Sequence, residues 1–98
     1  MGYRLSQRAE EDLIGIYVSG SREFGNAQAE RYYAGLESAF DFLSEYPRAA
    51  RERTEISPPV RVHPYRAHVI VYVVGEDDVF ILRVRHGQED WEPSPVGE

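Results

Sequence analysis

The stretch Val79-Phe80-Ile81-Leu82-Arg83-Val84-Arg85-His86 decides how this chain folds. It is short, rich in β-branched and aromatic side chains, and sized for a strand. A similar run, Ala67-His68-Val69-Ile70-Val71-Tyr72-Val73-Val74, precedes it across Gly75-Glu76-Asp77-Asp78. Two such runs joined by turn-forming residues predict an antiparallel hairpin. Side chains alternate between the two faces of a strand. Strict alternation places Phe80, Leu82 and Val84 on one face, expected to pack beneath helices, and Ile81, Arg83 and Arg85 on the other. His86 returns to the helix side. Arg61 and His63 share a face around Val62, where another strand begins. The expectation is a sheet with one covered side and a second side, partly apolar and arginine-bearing, open to a partner.

Upstream of the hairpin the period changes to that of a helix. Ser6 reads as an N-cap, with Glu10, Glu11 and Asp12 in the early turns where the helix dipole favours acids. Ala9 stands where a capping box would need Glu or Gln. Ala9, Leu13, Ile16 and Tyr17 then predict a helix over 6–20. Phe24-Gly25-Asn26 breaks the chain. Ala29, Tyr32, Tyr33, Leu36, Ala39, Phe40 and Leu43 form one apolar stripe, predicting a second helix from Asn26 that Pro47 ends. Tyr3-Arg4-Leu5 is β-compatible, Pro58-Pro59 marks a loop, and residues 92–98 read as a flexible tail. The predicted fold class is α+β: an N-terminal helical hairpin packed on a three- to four-stranded antiparallel sheet, in one domain over 1–98.

Composition narrows the chemistry. The chain has 98 residues, enough for one core, and no cysteine, which excludes disulfides, thiolate metal sites and a cysteine nucleophile. All eleven basic residues are arginine, and the net charge is −6. An acidic protein lacks the general attraction for phosphates that drives nucleic-acid binding. The exception is local: residues 48–68 carry five Arg against two Glu. No apolar run approaches the ~20 residues that cross a bilayer, so a cytoplasmic protein without membrane association is expected. There is no glycine-rich phosphate loop, and His63, His68 and His86 do not follow a recognised ligand spacing. No cofactor or metal is expected.

The order of these pieces resembles the ParE-type toxins of the ParE/RelE superfamily. Tyr3-Arg4-Leu5-Ser6 with Ala9 to Tyr17 resembles their opening, and Phe24-Gly25 with Ala29-Glu30-Arg31-Tyr32-Tyr33 and Leu36 their second helix. Phe42-Leu43 and Pro47 resemble its end. Arg53, Glu55, Arg61, His63-Pro64-Tyr65 and His68 to Tyr72 resemble the middle, and Arg83-Val84-Arg85-His86-Gly87 with Asp90 and Trp91 the closing signature. Gln88-Glu89 stands where the family often has a second basic residue. The resemblance implies a toxin of a type II toxin–antitoxin system that poisons DNA gyrase on cleaved DNA. It also implies silencing by a ParD-like antitoxin wrapped around it, in a heterotetramer or larger assembly. The alternative within the superfamily is a RelE-like, ribosome-dependent mRNA endonuclease. Such relatives commonly use lysine and a C-terminal tyrosine, whereas this chain has no lysine and its last tyrosine is Tyr72.

The residues themselves leave two readings at each position. His86 suits a general base, since its pKa lies near neutrality, and equally an interface. Arg83 and Arg85 are either salt-bridged on the sheet surface or dock an acidic partner. Trp91 either covers the core edge or anchors a contact. The expected target- or antitoxin-binding set is Arg61, His63, Arg83, Arg85, His86 and Trp91, with no catalytic residue.

Overall fold

The computed structural model describes residues 2–97. In chain order it comprises β1 (Gly2–Leu5), α1 (Gln7–Phe24), α2 (Asn26–Glu45), β2 (Glu52–Arg53), β3 (Val60–Tyr65), β4 (His68–Val74) and β5 (Asp78–His86). The two helices form a hairpin on one face of a five-stranded sheet of order β1-β5-β4-β3-β2. The α+β class and the hairpin are as expected. The sheet is larger than expected, because Glu52–Arg53 adds a short strand and β1 joins the far edge, parallel to β5. No described helix is long and apolar enough to cross a membrane.

Ser6 caps α1: its Oγ accepts from Ala9 N at 3.0 Å while donating to Leu82 O at 2.7 Å. One hydroxyl thus starts the helix and ties it to β5. The helix outruns its expected end at residue 20 and stops at Gly25, whose φ of 89° suits glycine. Its N–H bonds Ser21 O, and α2 follows directly. Mid-α2, Gly35 leaves room for the Tyr65 hydroxyl, since a Cβ there would lie 1.8 Å from Tyr65 Oη.

The main core lies between helices and sheet. Ala9 and Leu13 of α1 and Leu36, Phe40 and Leu43 of α2 pack on Ile70, Tyr72, Val79, Ile81 and Val84. Full burial of each large side chain stabilises the fold by ~1.5–3 kcal/mol. Ile81, not Leu82, therefore faces the helices. The reason is a register shift: Val71 pairs with Arg83 but Tyr72 pairs with Ile81, leaving Leu82 as the extra residue of a β-bulge. The bulge reverses the expected phase for Phe80 and Leu82 and leaves Val84 beneath the helices.

The opposite sheet face is not open. Ile56, Val60, Val71 and Trp91 form a second core, joined by Val62, Val69, Val73, Leu82 and Val96. The 54–59 loop and the chain end cover it. Residues 92–97, expected as part of a flexible tail, lie against the sheet: Pro95 is buried and Val96 packs on this second core.

Candidate interaction site

The six expected contact residues separate into three places. Arg83 and Arg85 lie under the chain end. Arg83 forms a two-point pair with Asp12 of α1, Nε to Oδ2 at 2.7 Å and Nη2 to Oδ1 at 2.9 Å, and also donates to Gly97 O. Asp12 Oδ2 further accepts from Val84 N at 3.0 Å. It satisfies β5 backbone where β1, whose pairing stops at Leu5–Ile81, no longer reaches. The carboxylate raises the Arg83 pKa. Arg85 is 7% exposed and donates to Glu89 through Nε and Nη2 at 3.0 and 3.2 Å. Its Nη1 donates to Ser94 O at 3.0 Å, Pro95 O at 3.3 Å and Gly97 O at 3.4 Å. The Arg85 guanidinium, by donating to Glu89, lowers the Glu89 pKa. Neither arginine is an exposed docking cation. Each is bound within the chain.

Trp91 is likewise not a surface anchor, being 8% exposed in the second core. The Arg53 guanidinium stands 5.9 Å over its ring and reaches Glu55 at 2.6 Å and Glu92 at 2.8 Å. Arg61 and His63 share the helix-side face of β3, toward the sheet edge. Arg61 Nη1 donates to Ala50 O at 2.5 Å, and His63 packs 5.6 Å from the ring of Phe42, itself 5.2 Å from Tyr46. Phe42 on α2 and Tyr46 at its C-terminal cap are both exposed.

His86 stands apart, at the mouth of a cleft of about 630 Å³ between the helical hairpin and the ends of β4 and β5. It pairs with His68 across the strands, ring centroids 5.3 Å apart. Its Nδ1 accepts from Gln88 N at 3.1 Å. His68 Nδ1 and Tyr32 Oη share a hydrogen bond of 2.7 Å. Burial, and then the nearby His86, lower the His68 pKa, while burial raises that of Tyr32. Among the described residues no three His, Asp or Glu side chains form a metal-holding group.

The cleft is the feature sequence reasoning missed. Along α1 two rows line it, Glu11-Gly15-Ser19-Glu23 and Asp12-Ile16-Gly20-Phe24. Each repeats every four residues, the spacing that keeps side chains on one side of a helix. Phe24 is 61% exposed. Tyr32 and Tyr33 of α2 form the facing wall.

Comparison with known proteins places this arrangement. The profile described as "ParE toxin of type II toxin-antitoxin system, parDE" matches residues 3–91. The chain is 32% identical over 84 residues to Toxin ParE1 of Caulobacter vibrioides, covering 86% of each chain. It is 34% identical over 89 residues to Toxin ParE1 of Mycobacterium tuberculosis, covering 90% of this chain and 91% of that one. Among solved structures, the one titled "Chromosomal ParDE TA system from P. aeruginosa" superposes with a TM-score of 0.75 at 20% identity. That match covers 88% of this chain and 95% of the other.

Proposed function

We propose a function from one premise: the chain belongs to the ParE toxin family of type II toxin–antitoxin systems. On that premise the protein acts in the cytoplasm by contact rather than by chemistry of its own. It holds DNA gyrase on cleaved DNA until a ParD-like antitoxin covers it. The observation that carries this reading is the commitment of both strand arginines. Arg83 is held by Asp12 and Arg85 by Glu89. Metal-free phosphoryl transfer needs positive charge free to meet the transition state. The acids that act on His68 of the histidine pair are Asp12 and Glu89, the same two that hold these arginines. A RelE-like endonuclease is correspondingly disfavoured.

The contact roles divide accordingly. Arg61, His63 and His86 retain accessible surface and meet a partner directly. Arg83, Arg85 and Trp91 act through shape, by fixing α1 and the chain end on the sheet. The antitoxin covers the cleft along α1, where Phe24 is left uncovered. Purified protein added to a gyrase supercoiling assay should inhibit supercoiling and accumulate cleaved DNA, and the cognate antitoxin should restore activity. A null result across a broad concentration range, with prompt cleavage of translated mRNA on induction, would transfer the reading to the endonuclease.

A further inference from the structure

We infer that the α1 cleft is a receptor for a cationic side chain, an arginine or lysine carried beside apolar anchors on the partner segment that docks there. This rests on the reading that the antitoxin covers the cleft, and it names the chemistry of the anchoring group. Three observations support it.

The first is charge. Every fully charged residue lining the cleft is acidic: Glu11, Asp12 and Glu23. Asp12 is neutralised by Arg83. Glu11 accepts from Gln7 at 3.5 Å and feels Arg83 only at longer range, and Glu23 has no hydrogen-bond or ion-pair partner among the described residues. Two carboxylates therefore face the opening outside the ion pairs of the described residues. The second is shape. Glu11 and Glu23 sit twelve positions apart on α1, about 18 Å at the helical rise. Gly15 and Ser19 lie between them in the same row, and a Cβ added at Gly15 would meet nothing within 4 Å. The row is a valley with an acid at each end. The third is the wall. Tyr32, Tyr33 and Phe24 present aromatic surface, and ring faces attract ammonium and guanidinium groups. Burial keeps His68 from adding an opposing charge near neutral pH.

These features select against alternatives. An acidic segment would meet two carboxylates that no ion pair among the described residues engages. A purely apolar one would fill the wall and leave them without a partner. A second copy of this chain could bring its own arginine-rich 48–66 segment, so self-association must be measured alongside.

The probe is benzamidine, an aromatic ring bearing a planar cation, titrated into the ¹⁵N-labelled full chain. Benzamide serves as its neutral counterpart and benzoate as its anionic one. Benzamidine should give saturable shifts at Gly15, Ser19, Gly20 and Ala67 and on the His68 ring. Benzamide should bind roughly three- to ten-fold more weakly, the scale of one or two exposed charge contacts. Benzoate should give no saturable shift. The paired substitution Glu11→Gln with Glu23→Gln should reduce benzamidine to the benzamide level, and Gly15→Leu, which fills the valley at an exposed position, should block both. Equal binding of all three probes, shifts elsewhere on the surface, or no saturable shift would each overturn the inference. So would concentration-dependent dimerisation that the two glutamine substitutions abolish, because that seats a second copy in the cleft. The titration uses neither gyrase nor antitoxin, so its failure leaves the toxin reading standing, and a failed supercoiling assay leaves the cation site standing.

Discussion

Replacing Asp12 by alanine tests whether Arg83 is scaffold or docking residue. The substitution removes three acceptor contacts at once: those at 2.7 and 2.9 Å to Arg83, and that at 3.0 Å to the backbone N–H of Val84. The pair is largely sealed, with side-chain exposures of 13% for Arg83 and 16% for Asp12. Breaking a buried pair from one side costs ~3–5 kcal/mol, because the surviving charge stays unpaired. Arg83 keeps a bond to Gly97 O, and residual solvent reaches it, so the lower end applies, about 3 kcal/mol. For a domain of this size that lowers Tm by ~12–24 °C. Arg83→Met, which keeps the apolar stem, should cost about 2 kcal/mol, since Asp12 retains the Val84 N–H. The double mutant should show a coupling of ~1.5–3 kcal/mol. The assay is urea unfolding followed by fluorescence of Trp91, the chain's single tryptophan. A cost below ~0.5 kcal/mol for Asp12→Ala, the value of an ordinary surface pair, would refute the reasoning and return Arg83 to the surface as a docking cation.

Three further outcomes follow from the same contacts. Trp91→Ala, which removes the fluorophore and is therefore followed in urea by far-ultraviolet circular dichroism, should cost ~3–5 kcal/mol, whereas a surface anchor would cost almost nothing. Stopping the chain after Trp91 should cost ~1–3 kcal/mol and increase binding of a hydrophobic dye, since it removes the buried Pro95, strips Val96 from the second core and takes three carbonyls from Arg85. Stability should fall on acidification in two steps, read as urea midpoints across pH. His63 and His68 have folded pKa values below the ordinary 6.5, so the unfolded chain takes up their protons first, and stability drops from about pH 6.5 downward. Glu89 is also lowered, and Glu55 is held down to about 2 by Arg53 and Arg51, so their contribution is complete above 4.5 and is lost as pH falls through the folded values.

The elements that local chemistry specifies were legible in the sequence. Ser6 announces α1, Gly25 breaks the hairpin, and the apolar stripe from Ala29 to Leu43 marks the buried side of α2. What depends on a distant partner was not legible. Nothing within 79–86 distinguishes Leu82 from its neighbours. The bulge exists only in the pairing with β4, which sets Tyr72 opposite Ile81, and one extra residue there was enough to exchange the faces of Phe80 and Leu82. Arg83 looked like a surface cation because Asp12 lies 71 positions away, and Arg85 because the segment that wraps it looked like a frayed end. The consequence is a transfer of the contact surface. Two arginines in a strand suggested a positive docking face on the sheet, but that face is closed by the chain's own end. Among the surfaces left open is the acidic row on α1. Its four-residue repeat was present in the sequence from the start, hidden because a helix ending at residue 20 would have cut Glu23 away from Glu11, Gly15 and Ser19. A helix that runs on to Phe24 joins them into one valley, and the charge presented to a partner there is negative, opposite in sign to the one the strand implied.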